Sequence, residues 1–339
     1  MDISRRKRLI LAKIVALYTG SGDPVGSKIL SSFLEDVSVS TATLRNEMAE
    51  LTTLGLLEQP HTSAGRVPTA LGYRYYVDHL MNIRSLALEE REAIDEAVSK
   101  MDSDPDRAAD EAARLLAEMT GLAAIATTPR GGNVQISHFQ VFKTGKYNVA
   151  ILGVTSAGGV KTRVCRLRDE ISDSQIKELA RELNKQLRFV SAEDISNIRT
   201  EKVREGLDWS RELFNPIALA VSTMIKSASD VRVYTEGQQK LLSYPELESH
   251  LKELLELFSN SDVVRSYLQP SEPLTVFVGD ETGELGTGSL GLIVGRYRAQ
   301  GGLSGALAVA GPVRMNYGWI IPRVTYFRDA ISAMLTNPA

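Results

Sequence analysis

Cysteine is nearly missing from this chain. Cys165 stands alone among 339 residues, which excludes an intramolecular disulfide and removes the multi-cysteine sets that hold structural zinc. Histidine is almost as scarce: His61, His79, His138 and His250 are scattered without metal-ligand spacing, so neither a metal nor a cofactor is expected. No run of about 18 apolar residues occurs, and the polar, basic start Met1 to Arg8 lacks the apolar stretch and cleavage site of an export signal. The expectation is a cytoplasmic protein with no membrane segment. Charge imbalance is absent too. The 39 Lys+Arg and 42 Asp+Glu leave a net charge of −3, and residues 1–80 hold nine basic against eight acidic side chains. Bulk electrostatics therefore neither support nor exclude a nucleic-acid partner, and a phosphate-binding surface would have to come from local placement. No P-loop and no nucleophilic arrangement of Ser, Cys or His is present. Gly286-Thr287-Gly288-Ser289-Leu290-Gly291 fits the letters of a dinucleotide fingerprint, but it runs into strand-like Leu292-Ile293-Val294 with no acidic residue at the required distance. A glycine-rich turn accounts for it better, and no enzyme is expected.

What is present is an ordinary globular balance, 43% hydrophobic and 24% charged, in a chain long enough for two or three domains. Leu9, Ile10, Ile14, Leu17 and Tyr18 recur at helical spacing until Gly20-Ser21-Gly22-Asp23-Pro24 stops the helix. Ser27 is placed to cap a short second helix that turns Ile29, Leu30, Phe33 and Leu34 inward. Ser40 opens a third, with Leu44, Met48, Leu51 and Leu54 on one face and Thr41, Thr43, Arg45 and Asn46 on the other. Arg and Asn near a helix N-terminus suit bidentate contacts to guanine and adenine, and threonine reaches bases or phosphates. A solvated helix face without special function offers the same residues.

The following segment shifts that balance. Gly55 ends the helix, Leu56-Leu57-Glu58-Gln59 reads as a strand, Thr62-Ser63-Ala64-Gly65 as a tight turn, and Arg66-Val67-Pro68 as the return strand. Helix, helix, helix and hairpin is the order of a winged helix-turn-helix. Its tip would offer backbone N–H groups, Thr62, Ser63, His61 and Arg66 to phosphates or a minor groove, with Gly65 needed for a positive φ or for close DNA approach. His61 fits a solvent-facing or packed histidine equally well. Thr69 caps a fourth helix whose Tyr73 and Tyr76 pack, leaving Arg74 for a phosphate, and Arg5, Arg6 and Lys7 add sequence-indifferent attraction. The expected DNA-contacting set is thus Ser40, Thr41, Thr43, Arg45, Asn46, His61, Thr62, Ser63, Gly65, Arg66 and Arg74.

Beyond this unit, Leu86–Met101 reads as a connecting helix, and Asp104-Pro105 starts another that Gly121 ends. Strands follow from Val134 to Phe142, Tyr147 to Thr155 and Val160 to Leu167, then a capping box at Ser172 and Gln175. Strand-like runs return between 274 and 309 before a final helix. Strands on both sides of a helical 200–265 region favour one α+β domain interrupted by an insertion. Taken alone, Trp209, Phe214, Ile217, Leu247, Leu251, Leu254, Leu255 and Phe258 are core positions more than interface positions.

Pro24-Val25-Gly26-Ser27, Ser40 to Met48, Pro60 to Thr69, Gly72 to Val77 and, near the end, Gly311-Pro312-Val313-Arg314-Met315-Asn316-Tyr317 together resemble the HrcA family of heat-inducible transcription repressors. The resemblance implies a homodimer that binds an inverted-repeat operator ahead of chaperone operons, with the GroEL chaperonin keeping it active. It also implies an α+β multidomain plan: a winged helix over 1–85, a helical linker over 86–104, and a GAF-like domain over 105–198 and 269–339. A mainly helical dimerising insertion over 199–268 would interrupt the GAF-like domain. Two other readings share the first unit: a regulator controlled by a small-molecule effector in the GAF-like domain, and a chaperonin-binding adaptor without operator specificity. Asp280-Glu281-Thr282-Gly283 departs from the family pattern, in which a Glu-Asn pair is expected after the strand.

Overall fold

Caps set the first helices. Ser4 Oγ accepts from the Lys7 N–H at 3.3 Å to open α1 (Arg5–Ser21), which Gly22 closes in the left-handed region at φ 75°. Ser40 Oγ accepts from the Thr43 N–H at 3.1 Å to open α3 (Thr41–Thr53), and the short α2 (Ser27–Ser32) lies between. Each cap satisfies amide donors that a helix start leaves without partners. Ile10, Leu11, Ile14, Leu30, Leu44, Met48 and Leu51 form the shared core. Leu9, Ile29, Phe33 and Leu54, expected inward, are exposed; for Ile29 and Phe33 the reason is that a six-residue α2 can bury one turn rather than two. β1 (Leu57–Glu58) and β2 (Val67–Pro68) pair antiparallel, and α4 (Ala70–Tyr75) follows from a Thr69 cap and runs into one π-helical turn. This computed structural model describes residues 3–34, 40–62, 64–129, 134–156, 158–192, 194–195, 197–228, 230–250, 254–255, 258, 264, 266–268, 272–285 and 288–336.

Five strands form an antiparallel sheet: β3 (Ala123–Thr127), β7 (Val233–Glu236), β8 (Leu274–Val278), β9 (Leu290–Arg298) and β10 (Ser304–Pro312), ordered β7-β3-β10-β9-β8. Helices α5 (Leu88–Ser99), α6 (Pro105–Thr120) and α10 (Tyr317–Thr336) cover one face, meeting Ala124, Ile293, Leu307 and Val309. Leu241, Leu247, Leu254, Phe258, Val264 and Leu268 cover the other, meeting Ala123, Leu292, Ala306 and Ala308. Burial on both faces explains why β3 and β10 read as continuous apolar runs. Gly291 of the apparent dinucleotide motif lies in β9, a strand and not a helix, while Gly286 and Thr287 lie outside the described residues.

A second core lies elsewhere. β4 (Ile136–Lys143), β5 (Asn148–Thr155) and β6 (Val160–Arg166) form a three-stranded meander, packed on one face by α7 (Asp173–Leu187), α8 (Asn197–Leu207) and α9 (Arg211–Lys226). Phe139, Ile151, Leu183, Trp209, Phe214 and Met224 fill it. The expected division therefore changes. Residues 199–228 belong with the meander, which the expected plan gives to a first GAF-like part over 105–198, while Leu241, Leu247, Leu254, Phe258, Val264 and Leu268 pack on the five-stranded sheet and not in an insertion over 199–268; Leu251 lies outside the described residues. The unit inserted between β3 and β7 is thus mixed α and β, with a core running from Ile136 to Ala228. Alternation along a strand shows that one face is buried but does not name the layer that buries it. The expected linker over 86–104 also has another role, since Ile94 and Val98 of α5 enter the main core and Tyr326 of α10 donates to Asp95 at 2.8 Å.

Candidate nucleic-acid interface

With Leu44, Met48 and Leu51 turned inward, α3 leaves Thr41, Arg45 and Asn46 in solvent. Ser40 and Thr43 act on the helix itself: their hydroxyls lie 2.9 Å apart at the cap, and Thr43 is half-buried. The hairpin is fastened beside α2 by a two-hydrogen-bond bridge. Val25 N–H donates to Arg66 O and Arg66 N–H to Val25 O, each at 2.9 Å. Gly65 sits at that crossing. A Cβ there would fall 2.4 Å from the Val25 carbonyl carbon and oxygen and 2.7 Å from Gly26 N, and its φ lies outside the left-handed region. Backbone crowding, not the expected positive φ, demands glycine. Gly72 answers the same need, since a Cβ would stand 2.1 Å from Leu56 O.

Gln59, which sequence reasoning passed over, holds the hairpin tip: its Nε2 donates to Thr62 O at 3.0 Å and Ala64 O at 2.9 Å. Ala64 N–H closes the turn on His61 O at 2.9 Å, and His61 and Thr62 are exposed at the tip. Ser63 lies outside the described residues. Between α2, α3 and the hairpin opens a cleft of about 590 Å³, lined among others by Lys28, Arg45, Gln59, Thr62, Gly65 and Arg66. Lys28 was also missed; its signal was its place in the first turn of the helix after Ser27. Among the described residues neither Lys28 nor Arg45 has an ion-pair partner, whereas Arg66 Nε donates to Thr52 Oγ1 at 3.0 Å and so also ties the hairpin to α3.

Other expected contacts point elsewhere. Arg74 Nη1 donates to Val276 O on β8 at 3.2 Å, and the guanidinium pairs with Asp78 at 3.7 Å and Glu281 at 3.6 Å. α4 lies against the edge of the five-stranded sheet, which takes Arg74 away from the α3 face. Arg6 pairs with Glu47 at 3.4 Å, and Lys7 with Glu47 at 3.4 Å and Glu50 at 2.7 Å. Hydrogen bonding to Glu50 holds the Lys7 ammonium above its usual range. These two cations fasten α1 to α3 instead of reaching freely for phosphate.

Residues 106–321 match the family model described as the HrcA protein C terminal domain. Heat-inducible transcription repressors HrcA from Moorella thermoacetica and Desulforudis audaxviator are each 33% identical to the chain, over 99% of it and 98% of their own length. The chain belongs to the HrcA family. HrcA proteins are heat-inducible transcription repressors. A solved structure described as a hypothetical protein at 2.2 Å resolution aligns over 98% of both chains with a TM-score of 0.64 at 23% identity, a likeness of fold. The HrcA-like run Gly311 to Tyr317 falls where β10 hands over to α10, with Met315 and Tyr317 buried.

Proposed function

We propose that the protein is a cytoplasmic, homodimeric, sequence-specific DNA-binding repressor of chaperone operons. Its N-terminal unit is a winged helix-turn-helix in which α3 enters the major groove and the β1–β2 hairpin is the wing. Arg45, Asn46 and Thr41 read or flank base edges, and His61, Thr62, Ser63 and Arg66 serve the wing. Ser40 and Thr43 open the helix, and Lys28 adds a phosphate contact. The observation that carries this reading is the convergence of Lys28, Arg45 and Arg66 on one cleft in a chain of the HrcA family. With the inserted unit set aside, the remaining strands run 2-1-5-4-3 across their sheet, which supports the GAF-like assignment. The GroEL link rests on the family resemblance.

The dimer would use the meander face that α7, α8 and α9 leave uncovered. Phe142, Ala150 and Val164 form one row across it, and His138, Val154 and Val160 another. Phe142 is 49% and Val164 66% exposed. A second copy of the chain would cover these side chains and set two α3 helices against symmetric half-sites.

The test is binding to an inverted-repeat operator and to a scrambled duplex at the same salt, with and without chaperonin. Strong preference for the repeat is expected, and Arg45→Ala should weaken it by about 1–3 kcal/mol. Arg66→Ala should weaken all duplexes more evenly. Equal binding to both duplexes would reject operator recognition, and no gain with chaperonin would reject the GroEL link.

A further inference from the structure

One guanidinium joins three segments at the junction between the N-terminal unit and the five-stranded sheet. Arg314, in the turn between β10 and α10, donates from Nε and Nη2 to the two carboxylate oxygens of Glu246 and lies 5.5 Å from the centre of the Tyr244 ring. Its Cζ is 3.5 Å from the place a Cβ on Gly22 would take. Gly22 is the cap of α1, with its N–H on Tyr18 O at 2.8 Å, so the cation stands at the negative end of the helix dipole. A Cβ at position 22 would touch the guanidinium at ordinary van der Waals distance, and φ 75° is what favours glycine there. Arg314 therefore joins the start of α10, the Tyr244-Glu246 segment and the end of α1.

From there the contacts continue along α1. Its other end is fixed to α3 through Lys7 with Glu47 and Glu50 and through Arg6 with Glu47. Nearby, the Tyr73 and Tyr317 rings meet with centroids 6.2 Å apart, and Arg74 reaches Val276 O, so the unit is seated along a line and not at a point. A 17-residue helix is about 25 Å long. Turning it by about 10° about its C-terminal end carries the other end about 4 Å, more than the roughly 3.4 Å rise of one base pair.

We propose that Arg314 is a positioning residue for operator recognition: it fixes the angle of α1, and through it α3, so that a dimer accepts one spacing between half-sites. This rests on the dimeric-repressor reading above. A half-site is touched by α3 and the hairpin, so contact to one half-site does not require Arg314. Matching two half-sites does.

The experiment uses the full chain and measures affinity, at one salt concentration, for a single half-site, for the inverted repeat, and for repeats with base pairs added to or removed from the spacer. The variants are Arg314→Ala, Arg314→Lys, Glu246→Arg, and the exchanged pair Arg314→Glu with Glu246→Arg; thermal unfolding confirms that each is folded. The parent should prefer its own spacing by about tenfold or more, and Arg314→Ala should shrink that preference to about threefold or less with half-site affinity within about twofold. Lysine, which keeps the charge but not the fork, should fall between, and the exchanged pair should recover part of the preference. Unchanged spacing preference in Arg314→Ala overturns the proposal, as does an equal loss on the single half-site. A folded parent that shows no spacing preference removes the dimeric reading itself, and the proposal with it.

Discussion

The five-stranded sheet carries packed layers on both faces, whereas the three-stranded sheet carries helices on one and, among the described residues, gives the other to solvent. In the first, Ala123, Ala308, Ile293, Leu307 and Val309 are all completely buried. In the second, Phe142, Val160 and Val164 stand out from the surface. The strand edges tell a different story. On β4, Asn184 accepts from the Phe139 N–H at 2.9 Å and donates to its carbonyl at 2.7 Å, in place of a neighbouring strand. On β8, Arg74 donates to Val276 O at 3.2 Å and Glu281 accepts from the Val278 N–H at 2.9 Å. Both of these edges are blunted against strand addition, and the small sheet in addition bares one face. Association there would be face to face.

The contrast can be broken in four places. Leu307→Ala removes a side chain enclosed between layers and should cost about 2–5 kcal/mol in urea unfolding; a loss near zero would mean the large sheet is not closed. Asn184→Leu strips Phe139 of both partners and should cost about 1–3 kcal/mol, with more aggregation as the β4 edge opens. If neither changes, Asn184 does not guard the edge. Val164→Asp should leave the monomer's stability within about 0.5 kcal/mol while shifting sedimentation towards monomer. A dimer unmoved by that charge would take the bare face out of the interface. The smallest effect is a rate. Burial in the second core pushes the Cys165 thiol up, so alkylation at pH 8 should be slow and report opening of the inserted unit. Leu307→Ala should leave that rate alone if the two cores open separately, and an equal acceleration would join them.

Local signals were readable in the sequence wherever a residue acts on its own neighbourhood. Ser40, Thr69, Asp104 and Ser172 cap the helices they precede, and Gly121 ends α6 at φ 69°. The hairpin and the three meander strands lie where turn residues placed them. Partnership over distance was not readable. Arg74 looked as available as Arg45, but its partners on β8 and in Glu281 lie some two hundred positions away. Arg6 and Lys7 looked like a basic arm until α3 brought Glu47 and Glu50 to them. The inserted unit was misplaced for the same reason: apolar spacing in α9 and in the segment after Leu241 is alike, and only the fold sends one to the meander and the other to the large sheet. Gly65 was expected to serve a positive φ or close DNA approach, but the atoms that demand glycine there belong to Val25 and Gly26, about forty residues earlier.

The sheet order also sets a timetable. The inserted unit draws its whole core from one continuous stretch and can fold as soon as α9 has emerged from the ribosome. β3 is made before that unit but lies between β7 and β10, and β10 begins about 180 residues after β3 ends, roughly 9–35 s later at 5–20 residues per second. Until then an alanine-rich strand waits for one of its two neighbours. β10, the last of the described strands in sequence order, closes the sheet, and Arg314 behind it meets the end of α1, so a chain cut before β10 would have helices and hairpin but no fixed place to hold them.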